Sequence, residues 1–119
     1  SELSSFPRLP SVKTVNVLET KITDTEAIVD RFPNLVGLDI GAALSNDSSA
    51  IELAKLRLLE SLTIDGANLT ECGVSALGTI STLRSLSLAH ARITYNTVKS
   101  ISAIELEYLV LKNCEISPK

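Results

Sequence analysis

The sequence predicts an α/β solenoid, with a parallel sheet on its concave side and short helices on its convex side. Three observations predict it. An aliphatic pattern of the form L-x-x-L-x-L recurs five times, at spacings of 23, 24, 24 and 23 residues. A column of hydroxyl and amide side chains follows each copy at a fixed distance. The segments behind that column carry apolar residues at helical spacing. Self-similarity at a fixed period of this size marks stacked supersecondary units.

The five copies start at Val12, Leu35, Leu59, Leu83 and Leu106. Their anchors are Val12, Val15 and Val17; Leu35, Leu38 and Ile40; Leu59, Leu62 and Ile64; Leu83, Leu86 and Leu88; and Leu106, Leu109 and Leu111. All are aliphatic, and the second and third alternate with other residues as in a strand with one buried face. Eight residues after each start stands Thr20, Ala43, Ala67, Ala91 or Cys114, and ten after stands Ile22, Leu69, Ile93 or Ile116. The second copy departs, with Leu44 one place early and Ser45 at the expected position. Eleven after come Thr23, Asn46, Thr70, Thr94 and Ser117, all able to accept a backbone hydrogen bond at a helix start. The next segments are expected to turn Ala27 and Ile28; Ile51, Leu53 and Ala54; Val74 and Leu77; and Val98 and Ile101 inward as one apolar side. Each unit is thus strand, turn and short helix. One unit cannot cover its own apolar face, but parallel strands stacked about 4.8 Å apart join the aliphatic columns into continuous layers.

Segments such as Leu83-Arg-Ser-Leu-Ser-Leu-Ala-His-Ala-Arg-Ile93 and Leu106-Glu-Tyr-Leu-Val-Leu-Lys-Asn-Cys-Glu-Ile116 carry a resemblance: over residues 12 to 116 the chain resembles the leucine-rich repeat family. The resemblance implies a curved recognition surface, in a family whose members have many unrelated partners. The small-residue column is mainly Ala here, where the family often places Asn or Cys. Cys114 and the Ile-Thr-Asp and Leu-Thr-Glu turns look more like cysteine-containing or bacterial-type repeats.

Residues 1–119 read as a single domain. Residues 1–11 look like the tail of a preceding turn, because Leu9-Pro-Ser-Val12 parallels Phe32-Pro-Asn-Leu35. The first unit reads as incomplete and the last stops before its helix. Neither end carries a cysteine-rich cap, although open solenoid ends expose apolar layers that need cover. A fragment, a dimer or a subunit of a larger assembly is therefore expected.

Composition narrows the function classes. A hydrophobic content of 45% argues against a disordered tail. The net charge of -3 arises from 11 basic and 14 acidic residues mixed along the chain, so no cationic stripe tracks a phosphate backbone and nucleic acid is not an expected partner. No apolar run approaches the length of a membrane span, and the first residues, Ser1 to Ser5, lack the regions of a signal peptide. A chain that begins with Ser leaves secretion open. Stacking places the backbones of Cys72 and Cys114 about 10 Å apart, too far for a disulfide. Two free thiols lean slightly towards a reducing, cytoplasmic compartment.

Strand alternation turns outward the residues at offsets two, four and six from each start. These are Thr14, Gly37, Ser61, Ser85 and Tyr108; Asn16, Asp39, Thr63, Ser87 and Val110; and Leu18, Gly41, Asp65, Ala89 and Lys112. The small residues among them either admit a bulky element of a partner or form an unselected solvent face. Tyr108 reads either as an anchor of binding, as buried aromatics often are, or as a shield over an open edge. With Val110, Lys112, Asn113 and neighbouring His90 it gives the last two strands the richest surface. Asp39 and Asp65 stand diagonally on adjacent strands, but an open surface supplies little of the desolvation that acid–base work needs.

His90 is the single histidine, which leaves no cluster for a metal, and it reads as a surface residue. Asn46-Asp-Ser48 and Asn68-Leu-Thr70 match the glycosylation sequon, although the Thr70 hydroxyl is expected to cap a helix. No phosphate-binding loop, dinucleotide fingerprint or zinc-spaced cysteine pair is present, and no cofactor is expected. The leading expectation is a non-catalytic protein–protein interaction module that uses its concave face or solenoid edge. The alternative is a structural subunit or fragment of a larger assembly, stacked through its open ends.

Overall fold

The computed structural model describes residues 5–20, 22 and 24–117, apart from the side chain of Ala43. Strands and helices alternate along it. In chain order the main elements are β1 (Thr14–Val17), α1 (Thr25–Arg31), β2 (Gly37–Ile40), α2 (Asp47–Leu53), β3 (Ser61–Asp65), α3 (Glu71–Leu77) and β4 (Ser85–Ala89). After them come the short β5 (Arg92–Ile93), α4 (Tyr95–Ile101), β6 (Tyr108–Lys112) and the short β7 (Glu115–Ile116).

β1, β2, β3, β4 and β6 form a five-stranded sheet in chain order, parallel throughout, and β5 pairs with β7 alongside it. The register places Val15, Leu38, Leu62, Leu86 and Leu109 in one row across the sheet, and a parallel row joins Ile64, Leu88 and Leu111. β2, β3, β4 and β6 each begin on a shared acceptor: two successive N–H groups, of Glu107 and Tyr108 for β6, donate to one carbonyl at the start of the strand before, here Arg84.

A parallel sheet usually has both faces covered; this one is covered on one. Leu38, Ile40, Leu62, Ile64, Leu86 and Leu88 are fully buried against the helices, whose Ile28, Ala50, Leu53, Val74 and Leu77 complete the same core. The intervening strand residues face out, which is why each strand alternates in polarity where a doubly covered strand would be continuously apolar.

Three expected caps hold: the Asn46, Thr70 and Thr94 side chains accept backbone N–H groups at the starts of α2, α3 and α4, Thr94 within a capping box with Thr97. α1 is capped instead by Asp24, which accepts from Ala27 N–H. Thr23 lies outside the described residues, as do residues 1–4 of the N-terminal tail. Ser117 is followed by no helix among the described residues.

Two residues expected inside are outside. Ile51 is exposed because Ser49, Ala50 and Leu53 take the inner side of α2, and each helical residue turns by about 100° from the last. Val98 is 51% exposed although it follows buried Thr97 as Val74 follows buried Gly73. Val74 lies under α4, whereas α4 has no helix beyond it among the described residues. The departure in the second unit also has a structural reason: a 3-10 turn over Ala42–Leu44 drops Leu44 into the core and leaves Ser45 buried. The Ser45 hydroxyl donates to Gly41 O at 2.7 Å and accepts from Asp65 N–H at 3.1 Å, tying two units together.

Asp47 makes a second tie. Its carboxylate accepts the Thr70 N–H at 2.9 Å and the Thr70 hydroxyl at 2.5 Å, so the first residue of α2 braces the cap of α3. The Thr70 hydroxyl, the Thr70 N–H and, more weakly, the Gly73 N–H hold the Asp47 carboxyl below its ordinary value, outweighing the opposing effect of burial. A carboxyl lowered by folding stabilises the fold above its unfolded pKa and loses that contribution as pH falls through the folded one. We predict that Asp47→Asn lowers the denaturant midpoint at neutral pH. The gap from the parent chain should close as pH falls below about 4, the ordinary carboxylate range; a gap independent of pH would contradict the bracing role.

The helix layer is close-packed at Gly78, the C-cap of α3, where a Cβ would lie 2.1 Å from the Ser100 carbonyl oxygen. Its φ of -66° is ordinary helical backbone, so helix propensity alone favours Ala over Gly by about 1 kcal/mol. Contact with a backbone atom reverses that preference. Thermal melts should show Gly78→Ala destabilised, and a rise in melting temperature would refute the contact.

Candidate functional site

Strand alternation defines the candidate surface. Register brings Thr14, Gly37, Ser61, Ser85 and Tyr108 into one row; Asn16, Asp39, Thr63, Ser87 and Val110 into a second; and Asp65, Ala89 and Lys112 into a third. Over the first four strands these rows consist of small or polar residues. Near their start lies a depression of about 330 Å³, lined by Thr14, Asn16, Gly37, Asp39 and Ser61 among others.

The last strand differs. Tyr108 is 67% exposed and Val110 42%, with Lys112 and Asn113 beside them, also exposed. All four follow from one local fact: β6 is the edge of the sheet, so its side chains have a neighbouring row on one side only. Asn113 leaves the strand with φ 52°, as His90 leaves β4 with φ 59°. These are the two positive-φ residues other than Gly among those described. Asn tolerates this left-handed region through local hydrogen bonding, and His is also enriched there.

Of the residues singled out in the sequence, the structure gathers six. His90 N–H donates to Lys112 O at 2.9 Å, which fixes the β4 turn against β6. The His90 ring lies over the turn after β3, its Nδ1 3.2 Å from Asp65 Oδ2, while Asp65 Oδ1 accepts the Ala67 N–H at 2.9 Å. Tyr108, Val110, Lys112, Asn113, His90 and Asp65 therefore occupy one corner of the strand face. Asp39 does not join them. It lies two strands from β4, and its diagonal relation to Asp65 follows from the pairing of Asp39 with Thr63.

The His90–Asp65 contact joins two residues that their positions along the chain leave in different groups. Its signal was nonetheless present: Asp65 ends one strand and His90 follows the next strand by one residue, a diagonal pair across neighbouring units. The pair lies open to solvent, with the His90 side chain 54% exposed. An exposed pair of this kind contributes about 0–1 kcal/mol.

Cys72 and Cys114 are free thiols, Cys114 half-buried with its Sγ 3.6 Å from Leu88 O. The Asn46 of one sequon spends its side-chain oxygen on the cap of α2, and the Thr70 of the other is held by Asp47. Among the described residues no three His, Cys, Asp or Glu side chains are grouped to hold a metal ion, and no helix is long and apolar enough to cross a membrane.

The left-handed backbone at His90 yields a test independent of its side-chain contact. Gly occupies this region freely, whereas Ala pays a steric cost of about 1 kcal/mol. Both substitutions remove the contact to Asp65, so His90→Gly should be the more stable of the two by about that amount in denaturant titration. Equal midpoints would show that the turn relaxes. Comparison of the chain with family models, with curated proteins and with solved structures found no match to any of them.

Proposed function

We propose that the chain is a leucine-rich repeat solenoid serving as a non-catalytic protein interaction module, its open strand face lining the concave side and its helices the convex side. The observation that carries this reading is the contrast along the strand face. Small and polar residues cover the first four strands, whereas the last presents Tyr108, Val110 and Lys112 side by side, exposed, and backed by His90 and Asn113. Of these Tyr108 is the residue type that anchors protein interfaces, because Tyr buries much area at small entropic cost; Val110 and Lys112 flank it. The smooth rows of Ser61, Ser85 and Ser87 give a partner's main chain room to approach, with Asp39 and Asp65 as polar rim contacts.

Strand pairing in unbroken chain order, with starts spaced as in the sequence pattern, supports the solenoid assignment. The non-catalytic reading rests on the openness of the surface: the carboxylates and the imidazole stand in solvent-accessible positions, where the electrostatic effects that activate acids, bases and nucleophiles are weak.

Affinity capture from source-cell lysate tests the reading, comparing the intact chain with a Tyr108→Ala, Lys112→Glu variant shown by circular dichroism to be equally folded. The expected outcome is a protein retained by the first and lost by the second, with affinity reduced at least about tenfold, the scale of one hot-spot residue. Retention of the same proteins by both chains would remove β6 as the contact surface.

A further inference from the structure

The core row that runs from Val15 through Leu38, Leu62 and Leu86 ends on Leu109. Leu38, Leu62 and Leu86 are at most 2% exposed; Leu109 is 46% exposed. Register makes Leu109 the partner of Leu86 and Ile116 the partner of Ile93, yet Ile116 is 68% exposed against 6% for Ile93. Val98 on α4 is open in the same way. Among the described residues, the apolar layer that the middle strands bury thus lies bare at the β6 end, with Leu111 and Cys114 half-buried within it.

The main chain of β6 is bare on the same side. Tyr108 N–H donates to Arg84 O at 3.0 Å and Lys112 O accepts from His90 N–H at 2.9 Å. In a parallel strand, alternate residues turn both their N–H and C=O groups to the same neighbour. Tyr108, Val110 and Lys112 therefore face β4, while Leu109 and Leu111 turn theirs to the open side. An edge of this kind is a template for another strand.

We propose that the β6 edge is a homodimer interface, in which a second copy of this chain adds its own β6 antiparallel about a two-fold axis through Val110. Three features of the strand select this occupant. First, a two-fold at Val110 sets Leu109 opposite Leu111 of the other copy, so the outward-turned main-chain groups form mutual hydrogen-bonded pairs over the full length of the strand. Second, the side-chain rows complement themselves: Tyr108 faces Lys112 of the other copy, ring against cation, Val110 faces its own counterpart, and Glu107 faces Asn113, so from Glu107 to Asn113 no charged residue meets its like. Third, with the axis normal to the sheet, both helix layers stay on one side and the two bare apolar layers cover each other. A head-to-tail arrangement would instead seat β6 on β1. At the β1 end Phe6, Leu9 and Leu18 are exposed, but the core positions of the strand are less open, with Val17 buried and Val15 half-buried, and the preceding segment is tied down by Leu9 N–H to Arg31 O at 2.7 Å and Asn34 Nδ2 to Pro10 O at 2.9 Å.

The resulting sheet has ten strands and leaves its outer face accessible; Tyr108, Val110 and Lys112 border both surfaces, and the oligomeric state and the captured proteins separate this inference from the proposed recognition of another protein. A chain that dimerises but captures nothing upholds it and removes that reading; a monomer that captures a partner does the reverse.

Sedimentation over a broad concentration series tests it. The intact chain should pass from monomer to dimer and no further. Val110→Lys and Val110→Glu alter an exposed, outward-facing residue but set like charges opposite each other across the axis, and each should weaken the dimer about tenfold or more. An equimolar mixture of the two variants should recover it as a heterodimer. Amide exchange of the unaltered chain gives a readout that needs no variant: Leu109 and Leu111 should exchange fast when dilute and slowly when concentrated. The proposal is overturned by a chain that stays monomeric, by growth beyond the dimer, by a dimer indifferent to both charges, or by association that leaves the Leu109 and Leu111 amides unprotected.

Discussion

Burial in this chain is lateral. Leu38, Leu62 and Leu86 lie in one row of adjacent parallel strands and are nearly inaccessible to solvent; Leu109 continues the row and is close to half exposed. The four residues share type, strand position and orientation, and differ in whether a further strand follows among the described residues. Full burial of such a side chain contributes about 1.5–3 kcal/mol, so much of the stabilisation of each unit is supplied by its neighbour. No unit holds enough aliphatic surface on its own to offset the ordering of its backbone, which costs about 1–2 kcal/mol per residue. Cooperativity between neighbours therefore runs along the sheet, strand to strand and helix to helix.

Lateral burial requires the units to approach closely, and the side chains between them are chosen for size and bonding. A Cβ at Gly78 would collide with the Ser100 carbonyl, and one at Gly66 would come within 2.5 Å of the Ala91 Cβ. Where polar groups fall in the seam they pair across it: Thr25 with Ser49 at 2.9 Å, Ser45 with Asp65 N–H, and Asp47 with Thr70. Among the described residues no buried side-chain nitrogen or oxygen lacks a hydrogen-bond partner. These ties hold neighbouring units in register, since a slip of one residue would break the hydroxyl and carboxylate pairs as well as misalign the leucine rows.

The strands, their parallel order and three of the helix caps were legible in the sequence because each depends on a fixed spacing that the chain repeats. Errors arose where a position is decided by something other than spacing. Asp24 displaces the column at Thr23 because both residue types can cap and α1 starts one residue later in its unit. Ile51 follows the aliphatic pattern but sits one residue past the inner side of a seven-residue helix, too short to hold a wide apolar stripe. Val98 occupies an inward position and is exposed only because no helix follows α4 among the described residues, a fact about neighbours that no local pattern contains. At the candidate site, the outward rows were legible from alternation alone, whereas the His90–Asp65 contact needed two units to be superposed diagonally.

The corner formed by β4 and β6 concentrates what the rest of the sheet lacks. Along β2, β3 and β4 each outward side chain is flanked on both sides, and small polar residues there and on β1 keep the face smooth. At β6 no strand flanks the far side among the described residues, so large side chains such as Tyr108 and Val110 stand clear and the main chain keeps hydrogen-bonding groups turned outward. The same absence that bares Leu109 and Ile116 thus creates both kinds of contact surface, one on the outer face and one along the edge. They differ in chemistry: the face presents side chains and selects a partner by shape and charge, whereas the edge presents main chain and selects by strand direction and register. Because the edge contact leaves the outer face open, occupying one does not cover the other. A strand added at β6 would flank Tyr108 and Val110 on their open side and so restrict their rotamers, lowering the entropy lost when the face takes up a partner.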